Sequence, residues 1–167
     1  MRKPKNNLAI RLNKTYQAKL VTPFAVLGIC TEEDWLTDID YLPLETPPLV
    51  PQNPLAKEVS KQIQTYLMDA NFSFNLSLHI SGTPHQRRVW QVIQTIPSGK
   101  TCSYADIAAQ LHSAPRAVGG ACGANKIPIV IPCHRVIAKN GGLGGFMNAS
   151  SGQPLDIKRW LLHYEGS

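Results

Sequence analysis

The chain has 167 residues, 43% of them hydrophobic, with 13 prolines and a formal charge of +6, enough for one ordinary domain or two small ones with a real core. No apolar run approaches the roughly 20 residues of a membrane span. The basic opening (Arg2, Lys3, Lys5, Arg11, Lys14) leads into no apolar segment, so it reads as a solvated tail rather than a cleaved leader.

Charge is unevenly divided. Residues 1–80 carry eight Lys/Arg and eight Asp/Glu, whereas residues 81–167 carry nine Lys/Arg against only Asp106, Asp156 and Glu165. A basic second half points to a polyanionic substrate such as nucleic acid, or simply to solubilising charge. The four cysteines form no CxxC pair and no histidine stands at zinc-finger spacing, so neither a metal site nor a disulfide scaffold is expected. A reducing compartment suits a chemically useful thiol.

Tyr16–Val21, Phe24–Cys30 and Trp35–Leu42 alternate and turn like a small antiparallel sheet, broken at Thr22-Pro23 and Glu32–Asp34. Leu44–Pro54 holds four prolines and reads as a loop. Asn53 then caps a helix with Pro54 in its first position and Leu55, Val59, Ile63, Tyr66 and Leu67 on one face. Phe74, Leu76, Leu78 and Ile80 alternate as a short extended segment. Ser81-Gly82-Thr83-Pro84 follows, which sets a boundary between residues 1–80 and 81–167.

The second part reads as short helices. Thr83 caps Pro84–Thr95, with Val89, Trp90 and Ile93 facing a core, and Ile96–Lys100 is a turn. Ser103 caps Tyr104–Leu111, and a third helix runs from Pro115 to about Asn125, in a helix-turn-helix pattern. That third helix is nearly free of bulk, and each of its three glycines weakens it by about 1 kcal/mol relative to alanine. Such a sequence suits close approach, either to another helix or to a nucleic-acid backbone. Ile127–Ile137 reads as a buried extended run that carries Cys133, His134 and Arg135 behind Pro132. Asn140–Phe146 is expected to be a mobile loop with four glycines, and Pro154–Tyr164 a terminal helix with Leu155, Trp160 and Leu161 apolar. The fold class is α+β: a small antiparallel sheet with one helix, then a mostly helical, winged-helix-like domain.

Thiols react as thiolates, and a neighbouring imidazole or cation lowers the cost of ionising them. Cys133 has both beside it, in His134 and Arg135. A lone Cys-His pair is still more often a structural cysteine beside a satisfied core histidine.

The wider constellation shifts that balance. Gly82-Thr83-Pro84, Gln86-Arg87, Val89-Trp90, Ser103-Tyr104, Arg116-Ala-Val-Gly-Gly, Asn125, Ile131-Pro-Cys-His-Arg-Val-Ile137 and Lys158-Arg-Trp-Leu-Leu162 with Glu165-Gly166 closely resemble the O6-alkylguanine-DNA alkyltransferases. The resemblance runs in order through residues 81–167, while residues 1–80 match only loosely. It implies a single-use DNA repair transferase, free of cofactor and metal, which flips an O6-alkylguanine from duplex DNA and moves the alkyl group irreversibly to Cys133.

By the same resemblance His134 takes the thiol proton through a water, Glu165 orients the imidazole, Asn125 braces the site and Tyr104 offers its hydroxyl to guanine N3. Arg116 fills the gap in the base stack, and Ala117 and Gly119 let the helix enter the minor groove; Lys139, six residues past Cys133, reads by its position either as a phosphate contact or as an ordinary solvated lysine. A monomer is implied, with cooperative binding along DNA left open, in the cytoplasm (or the nucleus of a eukaryote).

Three departures stand out. His85 replaces the usual Phe, Lys126 follows Asn125 where a neutral residue is common, and Met147–Gln153 lengthens the segment between Phe146 and Trp160 that would form the lip of the guanine pocket. Two rival readings are a lesion-binding relative that does no chemistry, against which Cys133 itself argues, and a cysteine hydrolase, which leaves the basic helix-turn-helix unexplained.

Overall fold

The structure, a computed structural model, describes residues 14–145 and 153–166. The basic residues before Lys14, Phe146 and the expected pocket lip up to Gly152 lie outside the described residues. Lys14 itself is no free tail cation, since it pairs with Asp38 at 3.1 Å and Asp40 at 2.9 Å.

Three strands, β1 (Ala18–Val21), β2 (Val26–Glu32) and β3 (Trp35–Leu42), form an antiparallel sheet in the order β1-β2-β3. β3 coincides with its expected span, and β1 and β2 start two residues later than expected. Ala18 pairs with Ile29 and Val26 with Leu42, and a bulge at Cys30/Thr31 lets β2 turn into β3. Val26–Cys30 are all buried, as befits a central strand covered on both faces.

Helix α1 (Pro54–Met68) packs across all three strands through Ala56, Val59, Ile63 and Tyr66. Burying a side chain the size of Val59 or Ile63 contributes roughly 1.5–3 kcal/mol. The Asn53 side chain accepts the Ala56 N–H at 2.8 Å and so fixes where the helix begins.

The free edge of β3 is covered from elsewhere in the chain. Leu36 donates to Ser77 O and accepts from His79 N, both at 2.9 Å, and Ile39 donates to Lys126 O at 2.9 Å. Residues 72–80 alternate strictly in burial, as their pattern predicts, yet they make only this one bridge to the sheet. The first half is thereby stitched directly to the residue after Asn125.

In the second half, Thr83 and Gln86 form a reciprocal capping box at the start of α2 (Pro84–Gln94). Ser103 caps α3 (Tyr104–Leu111), and His112, with φ 52°, turns the chain into α4 (Pro115–Gly123). Trp90 locks α2 to α4 by donating its indole N–H to Ala121 O at 2.8 Å. His85 has a specific use, for its Nε2 bonds Ser113 Oγ at 2.8 Å and ties α2 to the α3–α4 turn.

The last helix, α5 (Gln153–Glu165), returns to the first half. Trp160 stacks on Tyr164 and lies 4.7 Å from the Phe24 ring, while Tyr164 donates to Tyr66 O at 2.6 Å. One continuous apolar cluster includes residues of both halves, Cys133 among them.

Candidate active site

The run from Ile127 is buried but not extended, contrary to its sequence pattern. Ile131 N–H bonds back to Ile127 O at 2.9 Å, and Ile129 takes φ 73°. Asn125 imposes this turn. Its Oδ1 accepts Ile127 N–H at 2.9 Å, and its Nδ2 donates to Ile131 O at 2.9 Å and to Cys133 Sγ at 3.1 Å. A β-branched residue in the left-handed region costs on the order of 1–3 kcal/mol, which the enclosing core sustains because Ile127, Ile129 and Ile131 are all buried. Cys133–Arg135 then form one 3-10 turn, followed by β5 (Val136–Ile137), which pairs in parallel with β4 (Cys102–Ser103). The thiol is thus aimed by a clamped turn between two prolines.

Cys133 is 4% exposed and His134 1%. His134 Nε2 lies 2.8 Å from Glu165 Oε1, at the far end of α5. That carboxylate, which the sequence leaves free to be a solvated terminal group, is fully enclosed. It also accepts Tyr66 OH at 2.7 Å, Arg135 Nη2 at 2.8 Å and Arg135 Nε at 2.9 Å. Burial pushes Glu165 up, but the hydrogen bonds from His134 and Arg135, the imidazole charge and the Tyr66 hydroxyl outweigh it and bring it down to about 2. Burial brings His134 below its ordinary value against the pull of Glu165, with Arg135 and Lys158 assisting. Near neutral pH the pair is therefore carboxylate and neutral imidazole. With Nε2–H assigned to Glu165, Nδ1 is the acceptor, and it makes no hydrogen bond among the described residues.

Two contributors, Tyr66 and Lys158, were given no role in the site by the sequence, and Arg135, expected as a cation serving the thiol, serves Glu165 instead. Tyr66 and Arg135 complete the Glu165 network, and Lys158 is fully buried in α5. The signal for Lys158 was present, since it shares the apolar face of α5 with Leu155, Leu161 and Leu162. Its Nζ donates to Val136 O at 2.7 Å, to Gly145 O at 3.0 Å and to Leu143 O, and lies 3.4 Å from Tyr104 OH. Burial pulls Lys158 down to about 8, against the attraction of Cys122 and Cys133. The glycine loop up to Gly145 is consequently stitched down, not loose. Gly144 (φ 68°) must lack a side chain, because a Cβ there would come within 2.7 Å of the Tyr104 ring.

Cys122, in the last turn of α4, neighbours Cys133. The Cys122 thiol and burial push Cys133 up, while Cys133 brings Cys122 down; the Lys158 ammonium draws both toward thiolate, and the Asn125 amide draws Cys133.

The remaining expected residues fall in two places. Tyr104, first residue of α3, donates to Gly145 O at 3.1 Å, and burial pushes its hydroxyl up to about 12. Arg116, Ala117 and Gly120 lie exposed on α4, Gly119 is half-buried, and Lys139 is exposed beyond β5. A Cβ on Gly120 would meet nothing within 4 Å, and one on Gly119 only the Tyr104 ring at 4.0 Å. Packing within the chain therefore demands glycine at neither position. Among the described residues no group of three or more His, Cys, Asp or Glu could hold a metal ion, and no helix is long and apolar enough to cross a membrane.

The chain is similar to known proteins over most of its length. Residues 84–167 match the family described as 6-O-methylguanine DNA methyltransferase, DNA binding domain. The chain is 38% identical over 160 residues to the constitutive methylated-DNA–protein-cysteine methyltransferase of Bacillus subtilis, which covers 90% of this chain and 94% of the relative. It is 36% identical to the methylated-DNA–protein-cysteine methyltransferase of Methanosarcina acetivorans, over 91% of this chain and 99% of that one. Its fold superposes with a TM-score of 0.72 and 35% identity on the crystal structure of Mycobacterium tuberculosis OGT in complex with DNA, over 89% of this chain and 91% of that one.

Proposed function

The chain belongs to the family of methylated-DNA–protein-cysteine methyltransferases, DNA repair proteins that take an alkyl group from DNA onto one of their own cysteines, and we propose that in this member Cys133 is the acceptor. The observation that carries the assignment is the enclosed Glu165–His134 pair beside a thiol already hydrogen-bonded by Asn125.

The Cys133 sulfur attacks the alkyl carbon on guanine O6; the S–C bond forms, the C–O bond breaks, and the electron pair leaves on the guanine. Neutral His134 takes the thiol proton at Nδ1 through a water, and Glu165 stabilises the imidazolium through Nε2–H. Tyr104 remains a protonated donor near neutral pH and neutralises charge developing at guanine N3, exchanging Gly145 O for the base. The product is a thioether with no leaving group and no internal route back to thiol, so each molecule acts once.

A buried thiol cannot reach an atom inside a stacked duplex, so the nucleotide is flipped out. Arg116 fills the vacated stack, the bare face of α4 at Ala117 and Gly119 approaches the minor groove, and Lys139 binds phosphate. Glycine at positions 119 and 120 supports this reading, because it leaves that face of α4 bare for close backbone approach. Residues 81–167 carry the chemistry and residues 1–80 serve as scaffold. The protein works as a monomer in a reducing, cytoplasmic setting.

The test is incubation with duplex DNA containing O6-methylguanine. A stable gain of one methyl group on Cys133, lost in Cys133→Ala with duplex binding retained, is the expected result. Methyl removal by Cys133→Ala would overturn the assignment.

A further inference from the structure

The lysines of the first half are not scattered. Residues 14–80 hold Lys14, Lys19, Lys57 and Lys61. Lys14 is paired with Asp38 and Asp40, and the other three all line one cavity of about 340 Å³ between β1, α1 and the loop before α1. No Asp or Glu lines it, and none of these three lysines forms an ion pair among the described residues. Glu58, on the same helix as two of them, accepts instead from Gln62 Nε2 at 3.0 Å. The even charge count of residues 1–80 thus conceals a separation, with Glu32, Glu33 and Asp34 gathered at the turn from β2 to β3.

Local structure brings the lysines together. Lys57 and Lys61 stand one turn apart on α1, where like charges repel and a shared anion relieves the repulsion. Lys19 enters from β1, whose backbone pairs with Leu49 in both directions, at 3.0 and 3.1 Å. Ser60 lines the same cavity at 7% exposure, and its hydroxyl makes no hydrogen bond among the described residues. A buried donor without an acceptor is costly, and a ligand oxygen supplies one. Leu20, Leu49 and Pro51 complete the lining with apolar wall. A cleft of one sign of charge with low-dielectric walls concentrates its field on an anion.

We propose that Lys19, Lys57, Lys61 and Ser60 form a binding site for a small phosphate monoester, whose apolar body rests on Leu20, Leu49 and Pro51. Near neutral pH such an ester carries a charge of about −1.5 to −2 on three acceptor oxygens, which three ammoniums and a hydroxyl can meet together; a carboxylate offers a single charge and two oxygens. Every lining residue falls between 19 and 64, so the site is separate from Cys133 and from the bare face of α4 and does not rest on alkyl transfer.

Full-length protein labelled with nitrogen-15 is titrated with phenyl phosphate, a monoester with an apolar body, and its amide shifts are followed. Saturable shifts at Lys19, Leu20, Leu49 and Lys61 are expected. Lys57→Gln together with Lys61→Gln should weaken binding about tenfold, as two partly exposed charges are lost, and Ser60→Ala should weaken it severalfold. Lys100 is exposed and outside the cavity, so Lys100→Gln should leave the affinity as it was. Absent shifts at the four amides, unchanged affinity in the double variant or in Ser60→Ala, or equal weakening in Lys100→Gln would overturn the site. Benzoate binding as tightly as phenyl phosphate would overturn the ligand class. Lesion-free duplex DNA that moves the same four amides in competition with phenyl phosphate would give the cavity to a DNA strand and overturn the small-ester reading. The double variant should still gain a methyl group on Cys133 at the wild-type rate, so failure of this site and failure of the alkyl acceptor assignment are read separately.

Discussion

Tyr66→Phe removes one oxygen from the site and leaves the ring packing in place. The lost hydroxyl donates to Glu165 Oε1 at 2.7 Å, while His134 and Arg135 continue to serve the carboxylate. A hydrogen bond to a charged acceptor contributes about 1.5–3 kcal/mol. Burial is the largest influence on Glu165 and raises it, so the net fall from 4.5 to about 2 understates what the donors contribute together. One donor of several thus predicts a loss near 2 kcal/mol at pH 7.

The sign of the pH dependence follows from the depressed carboxyl. Its stabilisation is complete above 4.5, the unfolded value, and is lost as pH falls toward 2. Burial and Glu165 hold the Tyr66 hydroxyl above its ordinary value, so it stays a donor throughout this range. In the Phe variant the Glu165 carboxyl titrates higher, and the gap between the two proteins should narrow as pH falls through that higher value toward 2. Urea unfolding at a series of pH values, followed by tryptophan fluorescence, measures it. A gap below about 0.5 kcal/mol at pH 7, well under the range expected for a charge-assisted bond, would refute the reasoning. So would a gap that stays constant into acid, which would mark the hydroxyl as packing only.

Arg116→Ala should slow transfer from duplex DNA far more than reaction with free O6-benzylguanine, in paired single-turnover assays; equal losses would make Arg116 structural. Gly120→Ala should raise the unfolding free energy by up to about 1 kcal/mol while weakening duplex binding, since a methyl there meets nothing in the chain; unchanged affinity in a salt-matched titration would remove DNA from that face. Trp90→Phe should cost roughly 1–3 kcal/mol in urea unfolding, because the Ala121 carbonyl loses its buried indole donor. Lys158→Met should free the Leu143–Gly145 carbonyls, read as faster amide exchange there, and slow transfer by releasing Tyr104.

Much of the scaffold could be read directly from the residues. Asn53, Thr83 and Ser103 each cap the helix they precede, and Pro54, Pro84 and Pro115 open theirs. Capping is a contact between residues two or three apart, so sequence order alone determines it. Strand β3 and the alternation through residues 72–80 were legible for the same reason, since which face is buried depends only on period. The Cys-His pair and its companions were likewise visible as a pattern along residues 81–167.

The geometry of the site was a different matter. Ile127–Ile131 has the composition of a strand, but Asn125 folds it into a turn, and no local propensity announces a side chain that bonds two backbone groups and a thiol. Tyr66 and Glu165 are 99 residues apart, and their bond exists only because α1 and α5 meet across the core. Local chemistry sets where elements begin and which face they hide; only packing decides which buried polar groups must find each other, because a buried charge or thiol takes its partner from whatever the fold brings within reach.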